Sequence, residues 1–552
     1  MACFKQSLLS IAFIFCGVTS TTNAQLDLQL QYEVPILEGA DEYHTLVRDE
    51  AWQTKRTAVI VCDMWDSHHC VNAVRRVGQI APRIDALLKN LRAQGATIIH
   101  APSGCMDFYQ DHPARKNAQN ISVGADLPED IDTWCYKIDS ELADEYPIDQ
   151  SDGGEDDDPL ERKAWEERLD DAGKNVRTPW TRQTPRISID ANDYITDSGS
   201  LIWSILERGE IDNVILVGVH TNMCVLGRPF GLRRLATAGK NVVLCRDLTD
   251  TMYNPKSWPF ASHFTGTDLI VSHIQRHVCP TITSNQILGG QPLRFRLDRR
   301  PHLVILIAEA EYQTKDTLPV FAAQHLSRDY RVTTLHADAK DRNRVPGMHM
   351  VADADLLLVS ARRRALPTKD LQFVRDHVAA GKPMVGIRTA SHAFALRRDD
   401  PPAGHDVWPE FDAQVWGGAY TNHFGNKLRT NLSVVANALS PVQADDLGEL
   451  QPGGSLYKNI PLKAGTKAIL TGHVVENGQP SDSHPLAWTF IRTDGGKSFY
   501  TSLGHVDDFA QPEFQALLLR GIHWAAGIKR MISVNQVRQD AERYTKKPAK
   551  LQ

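Results

Sequence analysis

Cys224 and Asp63 are the two residues whose positions best suit covalent chemistry. Cys224 follows an apolar run at 214–217 and a turn at 218–223, which predicts a strand that gives way to a helix. A thiol at a helix N-terminus has its thiolate favoured by the helix dipole and lies near free backbone N–H groups. Asp63 directly follows the apolar run 57–62, at the carboxyl end of a predicted strand, where open α/β sheets bind ligands. We therefore predict a nucleophilic Cys224; the alternative is a buried, inert thiol.

The elements that must position these residues alternate between strand and helix. Strands are predicted at 57–62, 96–100, 214–217 and 241–245, with amphipathic helices between them, and the pattern restarts with strands at 302–307, 331–335, 355–359 and 383–387. This alternation predicts an α/β fold with two doubly wound parallel-sheet domains. The predicted boundaries are a first domain at 25–288 with an acidic insert at 139–170, a linker at 289–300, a second domain at 301–530 and a polar tail at 531–552.

Composition limits the classes of function. The 552 residues are 42% hydrophobic and 23% charged, which is ordinary for globular domains. The chain has 61 Lys and Arg against 67 Asp and Glu, for a net charge of −6, so no basic surplus indicates a nucleic-acid partner.

The amino-terminal segment has the pattern of an export signal. Lys5 precedes an apolar run at 8–18, and small residues end at Ala24, which predicts cleavage after Ala24 and a periplasmic or secreted protein. No later run reaches the ~20 apolar residues of a membrane helix, so no membrane span is expected. Nine cysteines less Cys3 and Cys16 leave seven, an odd number that leaves at least one thiol unpaired in an oxidising compartment.

The first half resembles the isochorismatase-like cysteine hydrolases. The resemblance rests on AVIVCDMWDSHHC (58–70) and ILVGVHTNMCVLGRPFGLRRLATAGKNVVLCRD (215–247), and it extends over roughly residues 57–279. It implies hydrolysis, commonly of an amide through a thioester, with Asp63 as the base and Cys224 as the nucleophile. The resemblance also implies an oxyanion hole formed by the backbone of the turn, which contains Gly218, His220, Thr221 and Met223.

A lysine that this family uses has no counterpart at the expected place. Between residues 175 and 223 the cations are all arginines, and Arg182 and Arg186 precede a predicted strand at 187–189. An arginine holds positive charge but does not move a proton. Asp63 would then act alone as the base, or the domain has lost its activity.

Metal chemistry is the weaker prediction for the first half. His68, His69 and His112 are candidate ligands, because the resemblance extends to nicotinamidases with an Asp/His-bound metal, but their spacing fits no closed motif. Polar histidines that line a pocket are the alternative, and no cofactor is expected to be required. The insert carries ten acidic residues and no Lys or Arg between 139 and 158, which predicts a solvated surface segment; a calcium loop through Asp149, Asp152, Asp156 and Asp158 is the alternative.

The second half resembles the trehalose-utilisation (ThuA-like) domains of the class I glutamine amidotransferase-like fold. The resemblance rests on GKPMVGIRTASHAF (381–394), VWPEFDAQVWGGAYTNHFGN (407–426), HPLAWTF (484–490) and GKSFYTSLGHVDDF (496–509). Arg388 stands where true amidotransferases carry a nucleophilic cysteine, and no cysteine follows residue 279. We predict that Arg388, His423, His484 and His505 bind a polar ligand such as a carbohydrate.

The sequence as a whole predicts an exported cysteine hydrolase. It would act on a small amide or a related C–N or C–O bond, with a ligand-binding second domain and, from the family resemblance, homo-oligomeric association. The alternatives are a catalytically inactive carbohydrate-binding or assembly protein and a metal-dependent hydrolase that uses His68 and His69.

Overall fold

The computed structural model describes residues 24–435 and 442–548 and contains two eight-stranded sheets. The predicted signal segment up to residue 23 lies outside the described residues. None of the helices in the two described ranges has the length and apolar character needed to cross a membrane.

The first sheet has the strand order β2-β1-β8-β7-β6-β3-β4-β5. Its strands are β1 Gln25–Pro35, β2 Tyr43–Gln53, β3 Thr57–Cys62, β4 Thr97–Ala101, β5 Tyr194–Ile195, β6 Asn213–Val219, β7 Asn241–Asp250 and β8 Thr281–Ile282. Its helices are α1 Val71–Ala93, α2 Pro113–Gln119, α3 Pro159–Asp171, α4 Gly199–Arg208, α5 Leu232–Thr237, α6 His263–His277 and α7 Asn285–Leu288.

Successive residues of β3 enter two different cores. Ala58, Ile60 and Cys62 pack with residues of α2, α4, α5 and α6. Val59 and Val61 pack with residues of α1 on the other face. This alternation follows from the two-residue period of a strand, and a strand buried on both faces is apolar throughout.

The second sheet has the order β10-β9-β11-β13-β22-β21-β18-β16. The strands of this half are β9 His302–Ala308, β10 Arg331–His336, β11 Leu356–Ala361, β12 Leu366–Pro367, β13 Met384–Ile387, β14 His405–Asp406, β15 Asn422–His423, β16 Asn431–Val434, β17 Tyr457–Lys458, β18 Thr466–His473, β19 Val475–Glu476, β20 Gln479–Pro480, β21 His484–Ile491 and β22 Lys497–Thr501. Its helices are α8 Thr314–His325, α9 Thr368–Ala379, α10 Val506–Phe509, α11 Pro512–Ala526 and α12 Val534–Thr545.

The α/β class predicted from the sequence is confirmed, but both sheets are mixed rather than fully parallel. In the first, β1 pairs antiparallel with β2 and β8. In the second, β22, β21, β18 and β16 pair antiparallel in succession. The hairpin of β1 and β2 comes before the run at 57–62, which was predicted as the first strand. The sequence analysis did not predict this hairpin, because its alternating polar residues lack the continuous apolar signal of a central strand.

Part of the predicted polar tail is a packed helix. Val534 and Val537 of α12 are buried in the core that α8 and α11 share, and Trp258 of the first half donates its Nε1–H to Tyr544 O at 3.2 Å. The predicted polar tail at 531–552 is therefore helical and packed at residues 534–545. The sequence pattern did not indicate this helix, because it has few apolar positions and many polar and charged ones.

Candidate functional site

The carboxyl ends of β3 and β6 bring Asp63 and Cys224 together. These strands are parallel neighbours with Cys62 opposite Gly218, so the residues that follow each strand emerge at the same edge. Asp63 is fully buried and has a φ of +45°, which turns its carboxylate from the strand into the site. Gly218 permits the close pairing, because a Cβ there would lie 2.0 Å from Cys62 O.

The Asp63 carboxylate accepts two hydrogen bonds. Ser103 N–H donates to Oδ1 at 2.7 Å, and Arg228 Nε–H donates to Oδ2 at 2.9 Å. The Cys224 thiol also interacts with this carboxylate. Burial raises the pKa of Asp63, while Arg228 and these hydrogen bonds lower it. The carboxylate is thus a buried acceptor facing the candidate nucleophile.

Cys224 lies in the helical turn Thr221–Val225 that directly follows β6. Burial, followed by the negative charge of Asp63, raises the pKa of the Cys224 thiol well above its usual range, whereas Arg228 and the His220 backbone N–H lower it. The resting arrangement is therefore a thiol beside a carboxylate. The thiol and the carboxylate share one proton, and the sulfur becomes nucleophilic only when a base removes that proton from it.

Arg228 is the cation of this site. Its Nε forms the ion pair with Asp63, and its guanidinium lies over the Trp134 ring at 5.4 Å. The sequence analysis did not predict it, because the family's cation was expected before the cysteine turn and Arg228 follows that turn. The available signal was its spacing, since residues i and i+4 share a helix face and Arg228 is four residues after Cys224.

The arginines proposed from the sequence lie elsewhere. Arg182 stacks over Phe108 at 5.3 Å and its Nε is 4.0 Å from Asp66. Arg186 is exposed. Residues 187–189 do not form a strand, and the edge strand of the sheet is β5 at 194–195. Neither arginine is an ion-pair partner of Asp63.

The turn supplies fewer free donors than the resemblance implied. Met223 N–H donates to His220 O at 3.0 Å, so this amide is already engaged. Thr221 Oγ1 pairs with Thr249 Oγ1 at 2.7 Å. His220 is buried, its Nε2 has no hydrogen-bond partner, and burial lowers the pKa of its ring to about 4. Its imidazole is neutral at physiological pH.

Aromatic rings wall the crevice beside Asp63. Trp65 stacks on Trp180 with ring centroids 4.3 Å apart, and the His68 ring is stacked against both. A small pocket is lined by Asp63, Trp65, Ser67, His68, Val74, Val77, Val219 and His220. The space directly beside Asp63 is therefore small and largely apolar.

The structure does not assemble the predicted metal ligands. His68 Nδ1 accepts from Cys70 N–H, His69 Nε2 pairs with Glu155 at 3.4 Å, and His112 caps α2. Within residues 24–435 and 442–548, the groups close enough to hold an ion are two others: Asp144 with His273 and His277, and Cys70 with Asp156 and Asp157.

The acidic insert is docked onto the domain rather than solvated throughout. Asp156 forms two hydrogen bonds with Arg76, which is 7% exposed and also pairs with the buried Asp250. Buried Glu141 holds Arg233 through both carboxylate oxygens. The expectation of a hydrated segment is wrong for these carboxylates, whose partners are distant in sequence. Carboxylates of the proposed calcium set have other partners as well: Asp158 caps α3, and Asp152 accepts from Asn254 and Ser257.

The seven cysteines of the described residues are all free and buried. The prediction that at least one thiol is unpaired is confirmed. Cys224 and Cys279 are equally exposed, at 8% each, but Cys279 lies against no carboxylate. This pair therefore offers a matched comparison of reactivity.

In the second half, Arg388 occupies the turn after β13. It is 3% exposed with a φ of +42°, and its Nη1–H donates to Ser502 O at 2.7 Å. The guanidinium lies over the rings of Tyr312 at 4.4 Å and Tyr457 at 4.8 Å. Arg388 is thus held between two aromatic faces at the carboxyl edge of the sheet.

Two of the three predicted histidines lie near the aromatic rings that flank Arg388, and the third does not. The His505 ring is 5.9 Å from that of Tyr312, and the His423 ring is 6.4 Å from that of Tyr457. His484 begins β21, accepts from Asn459 N–H and packs on Phe424. Its contacts are therefore with a different set of residues.

Residues 303–525 match the family model described as ThuA, trehalose utilisation. The resemblance stated for the second half is confirmed by this match, which covers about two-fifths of the 552 residues. No curated protein matches the chain.

Solved structures similar to the chain include members of both expected groups. A putative ThuA-like protein from Parabacteroides merdae is 15% identical with a TM-score of 0.32, covering 42% of this chain and 93% of its own. A cysteine hydrolase from Pseudomonas syringae is 18% identical with a TM-score of 0.27, covering 44% of this chain and 97% of its own. An isochorismatase family protein from Burkholderia thailandensis is 14% identical with a TM-score of 0.24, covering 42% and 93%.

Proposed function

We propose that the first domain is a cysteine hydrolase that cleaves a small amide or a related C–N or C–O bond. The observation that carries the proposal is the interaction of the Cys224 thiol with the buried Asp63 carboxylate, whose Oδ2 accepts from Arg228 Nε–H. A nucleophile, a base within reach and a group that orients the base are the parts that covalent catalysis requires.

The reaction follows from these positions. Asp63 takes the thiol proton as the Cys224 sulfur attacks the carbonyl carbon, forming a C–S bond and an oxyanion. Protonated Asp63 then gives that proton to the leaving nitrogen, the C–N bond breaks, and a thioester remains. Water, deprotonated by Asp63, adds to the thioester; the C–S bond breaks and the sulfur recovers the proton.

Arg228 takes the electrostatic role of the family's lysine in this proposal. Its charge offsets the cost of burying the Asp63 carboxylate and keeps that group available as a base. It transfers no proton, since a guanidinium stays protonated. The Met223 and Val225 N–H groups both donate to His220 O, so the other backbone N–H groups near Cys224 are the candidates for oxyanion binding.

Thiol labelling tests this function. We expect iodoacetamide to inactivate the full chain in step with modification of Cys224, read by peptide mass spectrometry, while ammonia release is followed over a panel of small amides. Cys279 is the matched thiol, and we expect it to react more slowly because it has no base beside it. Saturating substrate should protect Cys224 alone. Full turnover after complete Cys224 modification would contradict the proposal.

The pH dependence tests the role of Arg228. Activity needs ionised Asp63, so kcat/KM should rise as the pH passes the pKa of this carboxyl. Arg228 lowers that pKa, so Arg228→Met is expected to move the rise to higher pH. Arg228→Lys retains the charge and should shift the profile less. Equal profiles for the wild type and Arg228→Met would remove Arg228 from the mechanism.

The second candidate function is a catalytically inactive carbohydrate-binding or assembly protein. It is favoured by the high pKa of the Cys224 thiol and by the arginine at the Arg388 turn. The amide panel separates the two, because an inactive protein would release no ammonia. In either case we propose that the aromatic and basic groups around Arg388 bind a polar ligand.

A further inference from the structure

Four arginines, three of them without a carboxylate partner in the described ranges, gather at the carboxyl edge of the second sheet. Arg362 and Arg363 follow β11, Arg388 follows β13, and Arg397 lies in the loop after the Arg388 turn. The positive charges of all four arginines lower the pKa of the His392 ring. Arg362 pairs with Glu311, but in the described ranges no ion pair is found for the other three. We call Arg363, Arg388, Arg397, His392, Tyr420 and Tyr457 the basic pocket.

This charge is costly without a counterion. Arg388 is 3% exposed, and its Nε has no hydrogen-bond partner. Arginines this deeply buried are ordinarily paired. His392 adds no charge, because burial and the four arginines lower its pKa to about 2. The uncompensated positive charge is therefore arginine alone.

The neighbouring carboxyl groups are already engaged. Asp508 accepts N–H groups from Gly504 and His505 through one oxygen and from Gly453 through the other. Asp412 accepts Tyr420 N–H, and burial raises the pKa of this carboxyl to about 7. Asp412 is thus only partly ionised at neutral pH, and neither carboxylate forms an ion pair with these arginines.

Aromatic faces adjoin the charge. The His392 and Tyr420 rings are stacked at 4.5 Å, and Tyr420 lies 4.7 Å from Tyr457. Tyr420 is also a hydrogen-bond partner of Arg397. Aromatic faces pack against the apolar side of a sugar ring, whereas guanidinium groups hydrogen-bond carboxylate or phosphate oxygens in pairs. The two features together select a ligand with both a ring and an anion.

We propose that the basic pocket binds an anionic sugar, one that carries a carboxylate or a phosphate group. This inference rests on the ligand-binding role proposed above for the second domain and narrows it to a charged class. Arg363 and Arg397 contact the anionic group, and the half-buried Tyr420 contacts the ring. Arg388 is buried and contributes its positive charge without contacting the ligand, so it is a positioning residue.

Calorimetric titration of the full chain with three probes tests the proposal. D-glucuronate and glucose 6-phosphate carry the two anions, and glucose carries neither. We expect at least one anionic probe to bind about tenfold or more tightly than glucose, with affinity that falls as salt is added. The better of the two anions identifies the source of the charge.

Variants locate the binding. Arg363→Gln and Arg397→Gln are each expected to weaken the anionic probe about tenfold, in line with hydrogen bonds to charged groups. Arg398→Gln is the matched control, because Arg398 is the next residue and is exposed. Its affinity should equal that of the wild type, and thermal denaturation should show all three variants folded.

The failures are distinguishable. Glucose binding as tightly as both anions would overturn the charged class and leave sugar binding intact. Absence of binding by all three probes would overturn both this inference and the ligand-binding role. Equal affinities for Arg397→Gln and Arg398→Gln would overturn the assignment of the contact. Inorganic phosphate as tight as glucose 6-phosphate would overturn the sugar part.

Discussion

Replacing Cys224 with alanine is expected to lower kcat for amide hydrolysis by about 10⁴-fold or more, because no other group can form the thioester. The change removes a single sulfur atom, so the fold should survive it. The measurement is ammonia release under saturating substrate, with thermal unfolding as the check on folding. Cys279→Ala, at the same exposure, is the control and should retain full activity.

Two results would contradict this assignment. Turnover by Cys224→Ala within tenfold of the wild type would remove the sulfur from the reaction. Equal losses in Cys224→Ala and Cys279→Ala would indicate that destabilisation, rather than chemistry, explains the effect.

Replacing Asp63 with asparagine should lower kcat/KM about 10³-fold, in the middle of the range for a general base. The amide keeps the shape and accepts from Ser103 N–H or Arg228, so the loss reports on proton transfer. Labelling of Cys224 by iodoacetamide should slow in the same variant, while labelling of Cys279 should not change.

The double variant Cys224→Ala/Asp63→Asn provides the sharper comparison. Residues that act as a unit lose activity together, so the pair should be no worse than Cys224→Ala alone. Losses that multiply would mean that Asp63 contributes independently of the thiol, which would exclude it as the base for Cys224.

The proximity of Cys224 and Asp63 could be predicted because the segment that holds each of them follows an apolar strand. Strand ends in a parallel sheet meet at one edge, so the local pattern around residues 57–63 and 214–224 was sufficient to place them near one another. Arg228 was harder to find, because the search for a cation followed the strand that precedes the turn. Its position depends on the helical turn after Cys224 and on stacking with Trp134, a residue ninety-four positions earlier.

The acidic insert shows where sequence reasoning ends. A run of carboxylates without cations is most often hydrated, and nothing local reveals that Arg76 and Arg233 lie within reach. Their ion pairs join residues about 80 to 92 positions apart. The basic pocket was missed in part for the same reason, since Tyr457 and Arg363 come from separate loops that only the fold brings together.

Helix α12 bears on how this molecule can be divided. It packs on α8 and α11, and the Tyr544 carbonyl accepts the indole N–H of Trp258 from the other half. A fragment that stops at residue 530 would expose the surfaces these contacts cover, so expression of the carboxyl-terminal half by itself should extend at least through Thr545. Purification tags are accordingly better appended at a distance from this helix, through a spacer.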